Sequence, residues 1–336
     1  MTLETVLTGI TTTGTPHLGN YVGAIRPAVA ASRRSDVQSF YFLADLHALV
    51  KNQNPDAVHR SSLEVAATWL ALGLDTERAI FYRQSDIPEI PELTWILTAV
   101  TAKGLMNRAH AYKAAVQANE EAGSPDPDRG ITMALFCYPV LMAADILLFK
   151  ARRVPVGQDQ KQHVEMARDI AQRFNHHFGE HFALPEPDIG AATAVLLGLD
   201  GRKMSKSYDN TIPLFSPAKQ LRKLIMRIRT NSLEPGAPKD TEGSTLFEIY
   251  RAFASTAEVE AMRRRFAEGI GWGVLKDELY EYLDAQLCAP RAEYERLLAA
   301  PDHVEAVLRR GAVRARTVAE PFLAEIRRAV GIRPLG

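Results

Sequence analysis

Short apolar runs with high β propensity alternate with amphipathic helical segments along the first part of the chain, and this alternation constrains the fold more than any other feature. The predicted strands are residues 5–10, 39–44, 79–82, 153–157 and 192–197, and the predicted helices between them include 18–32, 59–72 and 158–174. Strands and helices that alternate in this way build a parallel sheet with helices packed on its faces. The sequence therefore predicts an α/β fold with a doubly wound parallel sheet, whose ligand lies beyond the carboxyl ends of the strands.

Two parts of the chain depart from this alternation. Residues 91–116 are predicted to be helical and residues 119–130 to form an acidic loop with proline and glycine, so the segment around 91–130 is predicted to be an insertion between two halves of the sheet. We expect this insertion to make contacts in a homodimer. Residues 185–190 are predicted to be a loop, and the chain from residue 216 onward is predicted to be helical. The predicted C-terminal helices lie near 216–230, 244–268, 271–298 and 303–330.

The domain organisation predicted from these segments has three parts. They are a Rossmann-like domain over residues 1–190 that includes the insertion at about 91–130, a last strand and loop over 191–215, and a helical C-terminal region over 216–336. The chain carries 40 lysine and arginine residues against 40 aspartate and glutamate residues, so a nucleic-acid partner requires a local basic patch. The C-terminal region offers basic clusters near 219–229 and 309–316, although either cluster also suits an ordinary solvated surface.

The composition favours a soluble cytoplasmic protein. Cys137 and Cys288 are the only cysteines and lie far apart in the sequence, which favours neither a disulfide framework nor a metal-binding knuckle. The N-terminal residues lack the pattern of a signal peptide, and no uninterrupted apolar run reaches the length that spans a membrane. We therefore expect no membrane partner and no metal site built from protein side chains.

A turn-rich segment follows the first predicted strand and leads into a helix. Residues 11–16 read Thr-Thr-Thr-Gly-Thr-Pro, and the helical pattern begins at Leu18. A strand, a loop and a helix N-terminus in this order direct backbone N–H groups and a helix dipole at an anion. The threonine hydroxyls and His17 add side-chain donors, and Gly19 allows a ligand close to the backbone. The loop is neither a Walker A sequence nor a three-glycine dinucleotide fingerprint, and His17 also suits an ordinary helix start.

A second polar segment lies between the last predicted strand and the helical region. Residues 201–210 read Gly-Arg-Lys-Met-Ser-Lys-Ser-Tyr-Asp-Asn, a composition that predicts a mobile surface loop. Its lysine ammonium groups and serine hydroxyls are suited to hold and release a polyphosphate. Taken alone, a short run of lysine and serine is as often a solvated loop.

The most apolar predicted helix, residues 131–149, contains a single charge, Asp145. Tyr138, Met142 and Asp145 are spaced i, i+4 and i+7 and therefore share one face of the helix. A buried carboxylate is costly unless a donor meets it, so Asp145 pairs either with an internal arginine or with a polar group of a ligand. Pro139 is expected to kink this helix or to start it anew.

The fourth predicted strand runs into Gly157, Gln158 and Asp159, which we expect to face the same crevice as the first loop. Asp159 also suits a helix N-cap, with Gln162 in the capping-box position. The residues alone leave both interpretations open.

The two polar segments together resemble the signatures of class I aminoacyl-tRNA synthetases. They are His17-Leu18-Gly19-Asn20 and Lys203-Met204-Ser205-Lys206-Ser207, the second ahead of a helical tail. Further stretches resemble the bacterial tryptophanyl-tRNA synthetase family, namely Gly9-Ile10, Gly19-Asn20-Tyr21, Asp45-Leu46-His47, Tyr138-Pro139, Met142-Ala143-Ala144-Asp145 and the run from Val154 to His163. The resemblance covers essentially the whole chain and is densest in residues 5–47 and 138–210.

This resemblance implies a role for each matching residue. It implies contacts with ATP for Thr11, Thr12, Thr13, Gly19, Asn20, Gly157, Gln158, Asp159, Val195, Lys203, Met204, Ser205, Lys206 and Ser207. It implies catalytic roles on the phosphates for His17, Lys203, Ser205, Lys206 and, from the insertion, Lys113. For tryptophan it implies Asp145 at the indole N–H, Met142, Val154 and Val156 on the pocket wall, and Tyr138 and Gln160 at the ammonium group. Many relatives read Gln-Pro-Ser where this chain has Thr11-Thr12-Thr13, which leaves the side-chain role of that loop open.

The implied reaction has two steps: tryptophan and ATP form tryptophanyl-adenylate and pyrophosphate, and the tryptophanyl group then passes to tRNA(Trp). Mg²⁺ is implied as a cofactor held mainly through the phosphates of ATP. The resemblance also implies that residues 1–190 form the catalytic domain and that residues 216–336 bind the tRNA anticodon. It further implies a cytoplasmic homodimer that binds neither DNA nor a membrane.

Three alternatives are weighed against this interpretation. A tyrosyl-tRNA synthetase shares the architecture and both signatures, but the apolar Met142-Ala143-Ala144 ahead of Asp145 favours indole. A small-molecule nucleotidyltransferase of the same superfamily is disfavoured by the long basic helical tail. A non-catalytic tRNA-binding paralogue is disfavoured because His17 and both loop lysines are retained.

Overall fold

The structure, a computed structural model, describes residues 4–189 and 195–335. Its centre is a five-stranded parallel sheet with helices packed against it. The strands are β1 (Glu4–Thr11), β2 (Val37–Ala44), β3 (Ile80–Arg83), β4 (Arg153–Pro155) and β5 (Glu186–Asp188), in the order β3-β2-β1-β4-β5. The predicted α/β fold, a Rossmann-like doubly wound parallel sheet followed by C-terminal helices, is confirmed.

The order of the strands places a crevice at the carboxyl ends of β1 and β4. From β1 the chain moves outward to β2 and β3 on one side, and it later returns to β4 and β5 on the other. A parallel sheet binds its ligand where the chain changes direction in this way. The register pairs Thr11 with Ala44, so the segments that follow β1 and β2 start at the same level.

The outer strand β5 lies where the sequence predicted a loop over residues 185–190, and that prediction is wrong for Glu186–Asp188. β5 pairs in parallel with β4 over its whole length. Pro187 cannot donate to a ladder, but it is tolerated here because β5 lies at the edge of the described sheet. The first half of the strand predicted at 192–197 lies outside the described residues, and in the described half Leu197 forms only an isolated antiparallel bridge with Lys203.

Helices cover both faces of the sheet and make up the C-terminal region. In chain order they are α1 (Leu18–Asn20), α2 (Arg26–Ser32), α3 (Asp45–Ala48), α4 (Pro55–Ala71), α5 (Glu89–Val100), α6 (Lys103–Met106), α7 (His110–Glu121), α8 (Met133–Leu148), α9 (Lys161–Phe178), α10 (Ala218–Met226), α11 (Thr245–Phe253), α12 (Thr256–Ala267), α13 (Trp272–Leu298) and α14 (Pro301–Ala329). Within residues 4–189 and 195–335, none of them combines the length and the apolar character needed to cross a membrane.

The helices of the first half differ from the prediction in three places. The predicted helix 18–32 contains a π-helical turn, Tyr21–Ile25, between α1 and α2. The predicted helix 91–116 is divided into α5, α6 and α7. In contrast, α8 continues through Pro139, so the prediction of a new helix start at that residue is wrong.

The predicted helix 244–268 is also two helices, α11 and α12. Ser255 accepts a hydrogen bond from the Glu258 backbone N–H, and the Glu258 carboxylate accepts one from the Ser255 N–H. This capping box satisfies the free donors of a helix start, so a new helix begins at Thr256.

The hydrophobic core consists of two clusters on opposite faces of the sheet. On β2, Tyr41 belongs to one cluster and Phe42 to the other, because consecutive side chains of a strand point to opposite faces. Leu283 of α13 joins the first cluster and Ile326 of α14 joins the second. The C-terminal helices therefore share the core of the sheet, and the predicted domain boundaries stay a prediction.

Helix α14 covers the outer edge of β3. A Cβ atom added to Gly311 would lie 1.6 Å from the Phe81 carbonyl oxygen, so helix backbone and strand backbone are in direct contact. One turn later, the Arg314 guanidinium donates to the carbonyl oxygens of Thr76 at 2.7 Å and Ala79 at 3.0 Å. The helix thereby shields a strand edge whose backbone groups could otherwise pair with another chain.

Replacing Gly311 with alanine is expected to lower the free energy of unfolding by roughly 1–3 kcal/mol, because α14 must move away from the Phe81 carbonyl. Gly273→Ala in α13 is the matched control, since a Cβ there meets no atom within 4 Å. Alanine is the better helix former, so the control should be as stable as the parent or more stable. Urea unfolding followed by circular dichroism measures both variants, and equal stability of the two would contradict the prediction.

Candidate active site

Two adjoining cavities open at the carboxyl ends of the strands, and Thr13, in the loop after β1, lies on the wall of both. The first cavity has a volume of about 430 Å³ and lies over β1 and β2 beside α8. The second has a volume of about 850 Å³ and lies between the loop after β1, the turn after β4 and residues 203–206. The two cavities therefore occupy the crevice in which this fold binds ligands.

Most of the side chains that the sequence singled out line one of these cavities. The first is lined by Thr11, Thr13, Tyr138, Met142, Asp145, Val154, Val156 and Gln160. The second is lined by Thr13, His17, Gly19, Asn20, Gly157, Gln158, Asp159, Val195, Lys203, Met204, Ser205 and Lys206. Residues distant in the sequence are thus brought together at one place.

Three predicted site residues line neither cavity. Thr12 is fully buried, and its hydroxyl has no hydrogen-bond partner among the described residues. Lys113 is exposed on α7, and Ser207 is exposed beside Ser205, whose Oγ accepts a hydrogen bond from the Ser207 N–H at 3.3 Å. The roles of these three residues toward ATP stay predictions.

Asp145 forms the buried end of the first cavity. Its carboxylate accepts hydrogen bonds from the Gln84 amide at 2.8 and 2.9 Å, and it lies 2.8 Å from His47 Nε2. No arginine pairs with it among residues 4–189 and 195–335, so the internal arginine that the sequence allowed as its partner is absent there. Burial raises the pKa of the Asp145 carboxyl, and the hydrogen bond from His47 offsets part of that rise. A carboxylate has room for a further donor, so the group can still accept a hydrogen bond from a ligand.

His47 and Gln84 were not assigned to the site from the sequence. His47 lies in α3, directly after β2, and Gln84 directly follows β3. Polar residues just beyond the carboxyl ends of parallel strands point toward the crevice. That position was therefore a signal by which both residues could have been found.

A chain of hydrogen bonds runs along the wall of the two cavities. Tyr138 Oη lies 2.6 Å from His163 Nε2, and His163 Nδ1 lies 3.1 Å from Gln160 Oε1. The Gln160 amide nitrogen in turn donates to Asp159 Oδ2 at 3.1 Å. His163 is buried, and no role was predicted for it beyond its place in a stretch that carries the family resemblance. The chain links a residue of the first cavity to a residue of the second.

The helix cap predicted for Asp159 does not form. A 3₁₀ turn, Gln158–Gln160, precedes α9, and Gln160 occupies the N-cap position without a side-chain bond to the helix. The Gln162 amide instead accepts from the His110 backbone N–H at 2.9 Å. Asp159 is left facing the second cavity, which is the functional interpretation that the sequence also allowed.

The His17 ring is held at the N-cap of α1. Its Nδ1 accepts a hydrogen bond from the Asn20 backbone N–H at 3.3 Å, and the Asn20 side chain accepts one from the His17 N–H at 3.1 Å. The other ring nitrogen, Nε2, therefore carries the proton of the neutral ring and can donate it to a ligand. Gly19 leaves room for the ring, because a Cβ there would lie 3.1 Å from it. His17 thus fills the helix-start role and lines the second cavity as well.

Burial, and to a smaller extent the charge of Lys206, lower the pKa of His17 from 6.5 to about 4. We expect the ring to titrate near that lower value when its proton signals are followed by NMR, so the neutral donor persists at neutral pH. Lys206→Ala should raise this pKa only in part, because burial is the larger cause. Titration near the ordinary value would contradict the burial of the ring.

The loop over residues 201–210 folds around Asn210, which is buried. The Asn210 side chain accepts from the Ser205 N–H at 2.8 Å and donates to the Lys203 carbonyl at 3.1 Å. Lys206 reaches across to the first loop, where its ammonium group donates to the Thr13 carbonyl at 2.5 Å. Lys206 is exposed as a whole, but partial burial of its ammonium group lowers its pKa, and the charge of Glu64 offsets part of that fall. The mobility predicted for the loop stays a prediction, and the structural role of Asn210 was not predicted from the sequence.

The two cavities are suited to different parts of a ligand pair. The second brings together two lysine ammonium groups, a neutral imidazole donor and a helix N-terminus, which favours a polyphosphate. The first combines apolar side chains with a buried acid at its end and with polar groups that include Tyr138 and Gln160, which favours a flat ring that carries an N–H donor. Because Thr13 lies on both walls, groups bound in the two cavities can meet.

The family described as tRNA synthetases class I (W and Y) matches residues 4–287 of the chain. A tryptophan–tRNA ligase from Pseudomonas aeruginosa is 64% identical over 333 residues, which cover 98% of this chain and 74% of the relative. The tryptophan–tRNA ligase of Neisseria meningitidis serogroup A is 58% identical over 335 residues, which cover 100% of both chains. The fold is similar to that in a crystal structure of tryptophanyl-tRNA synthetase from Campylobacter jejuni complexed with ADP and tryptophan, with a TM-score of 0.88 and 42% sequence identity. The match covers 97% of this chain and 99% of the Campylobacter jejuni chain.

Proposed function

The chain belongs to the class I tRNA synthetases of the tryptophan and tyrosine group, and on this premise we propose that it joins L-tryptophan to tRNA(Trp). The enzyme first activates L-tryptophan with ATP to give tryptophanyl-adenylate and pyrophosphate. It then transfers the tryptophanyl group to the tRNA. The similarity to tryptophan–tRNA ligases extends over nearly the whole length of the chain, and this supports the same activity for it.

The observation that carries the choice of substrate is the position of Asp145 at the buried end of an apolar cavity. The indole nitrogen of tryptophan is a donor only, so a buried acceptor suits it. We assign the ring to the space beside Met142, Val154 and Val156, which line the same cavity. Phenylalanine has no ring donor and would leave the carboxylate without that partner, which disfavours its binding.

The adenylation step is assigned to the boundary between the cavities. A carboxylate oxygen of tryptophan attacks the α-phosphorus of ATP, the bond from that phosphorus to the oxygen bridging to the β-phosphate breaks, and pyrophosphate leaves. We propose that Lys203 and Lys206 stabilise the negative charge that grows on the leaving pyrophosphate. The His17 Nε2–H donates a hydrogen bond to a phosphate oxygen. No covalent bond to the protein is needed, so catalysis consists of positioning and charge stabilisation.

The transfer step uses the same crevice. A ribose hydroxyl of the terminal nucleotide of tRNA(Trp) attacks the carbonyl carbon of the adenylate, loses its proton, and AMP leaves. We propose that the region 216–336 binds the anticodon, supported by the exposed basic side chains of α10, among them Lys219, Arg222 and Lys223. Binding of this kind weakens as the salt concentration rises.

Mg²⁺ is proposed as the cofactor of the adenylation step, where it neutralises phosphate charge. Among residues 4–189 and 195–335, no group of three or more His, Cys, Asp or Glu side chains is placed to hold a metal ion. Mg²⁺ commonly keeps several waters and binds through substrate phosphates, so the phosphates of ATP are its proposed ligands. Lys113 of α7 is proposed to reach these phosphates from the insertion.

Amino-acid-dependent ATP–pyrophosphate exchange, measured with each of the twenty amino acids, tests this assignment. We expect exchange with L-tryptophan alone, followed by charging of tRNA(Trp) but not of tRNA(Tyr). Preferred exchange with tyrosine would instead support the tyrosyl-tRNA synthetase alternative. Nucleotidyl transfer without tRNA charging would support the nucleotidyltransferase, and a complete lack of exchange would support the non-catalytic paralogue.

A cytoplasmic homodimer is proposed as the working form. Support comes from two large apolar side chains that are mostly exposed, Trp95 at 75% in α5 and Met133 at 70% at the start of α8. Trp95 lies within the predicted insertion, where dimer contacts were expected. Sedimentation equilibrium measures the oligomeric state, and a monomer across the tested concentrations would contradict the proposal.

A further inference from the structure

Tyr138 can bind the ammonium group of tryptophan only as a hydrogen-bond acceptor, because an ammonium group is a donor only. A hydroxyl can present either its proton or a lone pair to the cavity, and its other partner decides which. That partner is His163 Nε2, 2.6 Å from Tyr138 Oη. We propose that His163 is a positioning residue that makes the Tyr138 hydroxyl an acceptor for the substrate ammonium group. The inference rests on the proposed function, since it concerns tryptophan bound in the first cavity.

The direction of the hydrogen bonds is set at Asp159. An ionised carboxylate only accepts hydrogen bonds, so the NH₂ group of Gln160 must face it, as it does at 3.1 Å. The Gln160 carbonyl oxygen is then turned toward His163 Nδ1, 3.1 Å away. Because two acceptors cannot share a bond, His163 Nδ1 must carry a proton.

The neutral form of the His163 ring determines the role of its second nitrogen. A neutral imidazole has a single ring proton, so with that proton on Nδ1 the other nitrogen, Nε2, is an acceptor. It therefore takes the proton of the Tyr138 hydroxyl, whose oxygen lone pairs remain for the first cavity. Burial lowers the pKa of His163 and raises the pKa of Tyr138, which keeps both groups neutral at neutral pH.

Neighbouring titratable groups shift the pKa of His163 in both directions. His110, at the start of α7, and His47, in α3, lower its pKa when charged, whereas Asp159 raises it, and burial outweighs all three. The ring therefore takes up a second proton only at a pH below its ordinary range. Nε2–H would then donate to Tyr138, the tyrosine proton would turn into the cavity, and the ammonium group would meet a donor.

The test compares tryptophan with indole-3-propionate, which has the same ring and carboxylate but no ammonium group. His163→Phe keeps an aromatic ring in the buried position and removes both nitrogens. We expect the KM for tryptophan in pyrophosphate exchange to rise roughly tenfold to a hundredfold, the range for a lost hydrogen bond to a charged group. The KM for ATP and the inhibition constant of indole-3-propionate should remain unchanged. His176→Phe, the same substitution on the exposed surface of α9, should change none of them.

If the KM for tryptophan and the inhibition constant of indole-3-propionate rose by the same factor, His163 would only shape the cavity, and the inference would be overturned. An unchanged KM for tryptophan in a folded His163→Phe variant would overturn it as well.

Should His163→Phe not fold, the unmodified protein provides the second test. The ratio of the KM for tryptophan to the inhibition constant of indole-3-propionate should rise as the pH falls through the titration of His163, followed by NMR. A ratio that stays constant through that titration would overturn the inference. Absence of tryptophan-dependent exchange in the unmodified protein would contradict the proposed function instead, so the two failures are distinguishable.

Discussion

Replacing Lys206 with alanine is expected to lower the rate of tryptophan-dependent ATP–pyrophosphate exchange by about 10²–10³-fold, the cost of removing one donor that stabilises transition-state charge. The Lys206 ammonium group already reaches the loop after β1, where it donates to the Thr13 carbonyl. A polyphosphate in the second cavity offers this group a charged partner in place of that carbonyl. Because the charge on pyrophosphate grows only as its bond to the α-phosphorus breaks, the loss should fall mainly on kcat.

Lys103→Ala is the matched control, since Lys103 is exposed in α6 and lines neither of the two cavities that form the site. It should leave the rate unchanged. Exchange rates at saturating tryptophan and ATP measure kcat, and titration of each substrate measures its KM. An alanine variant of Lys206 with the parent's kcat would show that this lysine has no part in the chemical step.

Replacing Asp145 with alanine is expected to raise the KM for tryptophan by roughly tenfold to a hundredfold, because a hydrogen bond to a charged acceptor is lost. The KM for ATP should change little, since Asp145 lines the first cavity and not the second. Discrimination against benzothienylalanine, in which sulfur replaces the ring N–H, should fall at the same time. A lost N–H bond affects tryptophan alone, whereas a change in cavity shape affects both compounds.

Asp56→Ala, at an exposed position in the first turn of α4, serves as the control and should bind tryptophan normally. Thermal unfolding of the Asp145 variant should be measured beside it, because the substitution also removes the partner of His47 and Gln84. A folded variant that keeps the parent's KM for tryptophan would contradict the assignment of Asp145 to the indole ring.

The local sequence pattern was sufficient to predict the structure of a segment when the residues of that segment alone determine it. The run predicted as a strand at 39–44 is β2, because apolar side chains on both faces favour a buried parallel strand. It was insufficient for the short strand β5, whose pairing with β4 depends on where the rest of the chain places that strand. The division at Ser255 was not predicted, although Ser255 and Glu258 have the spacing of a capping box.

The candidate site, too, was predicted from the sequence only in part. The spacing of Tyr138, Met142 and Asp145 alone predicts that they share a helix face, and all three line the first cavity. The spacing says nothing about the groups that meet them from other elements. His163 and Gln84 supply those groups, and neither residue was predicted to have a role in the site.

The sequence by itself determined the first four strands of the sheet, the two polar segments that line the second cavity and the family, because each of these depends on residue types at short spacing. Only the tertiary structure decided which donor meets which acceptor. The partners of Asp145 and Tyr138 come from α3, α9 and the turn after β3, and their distances follow from the packing of the helices on the sheet. Hydrogen bonds act over about 3 Å, so the chemistry of such a group depends on contacts between residues that are distant in the chain.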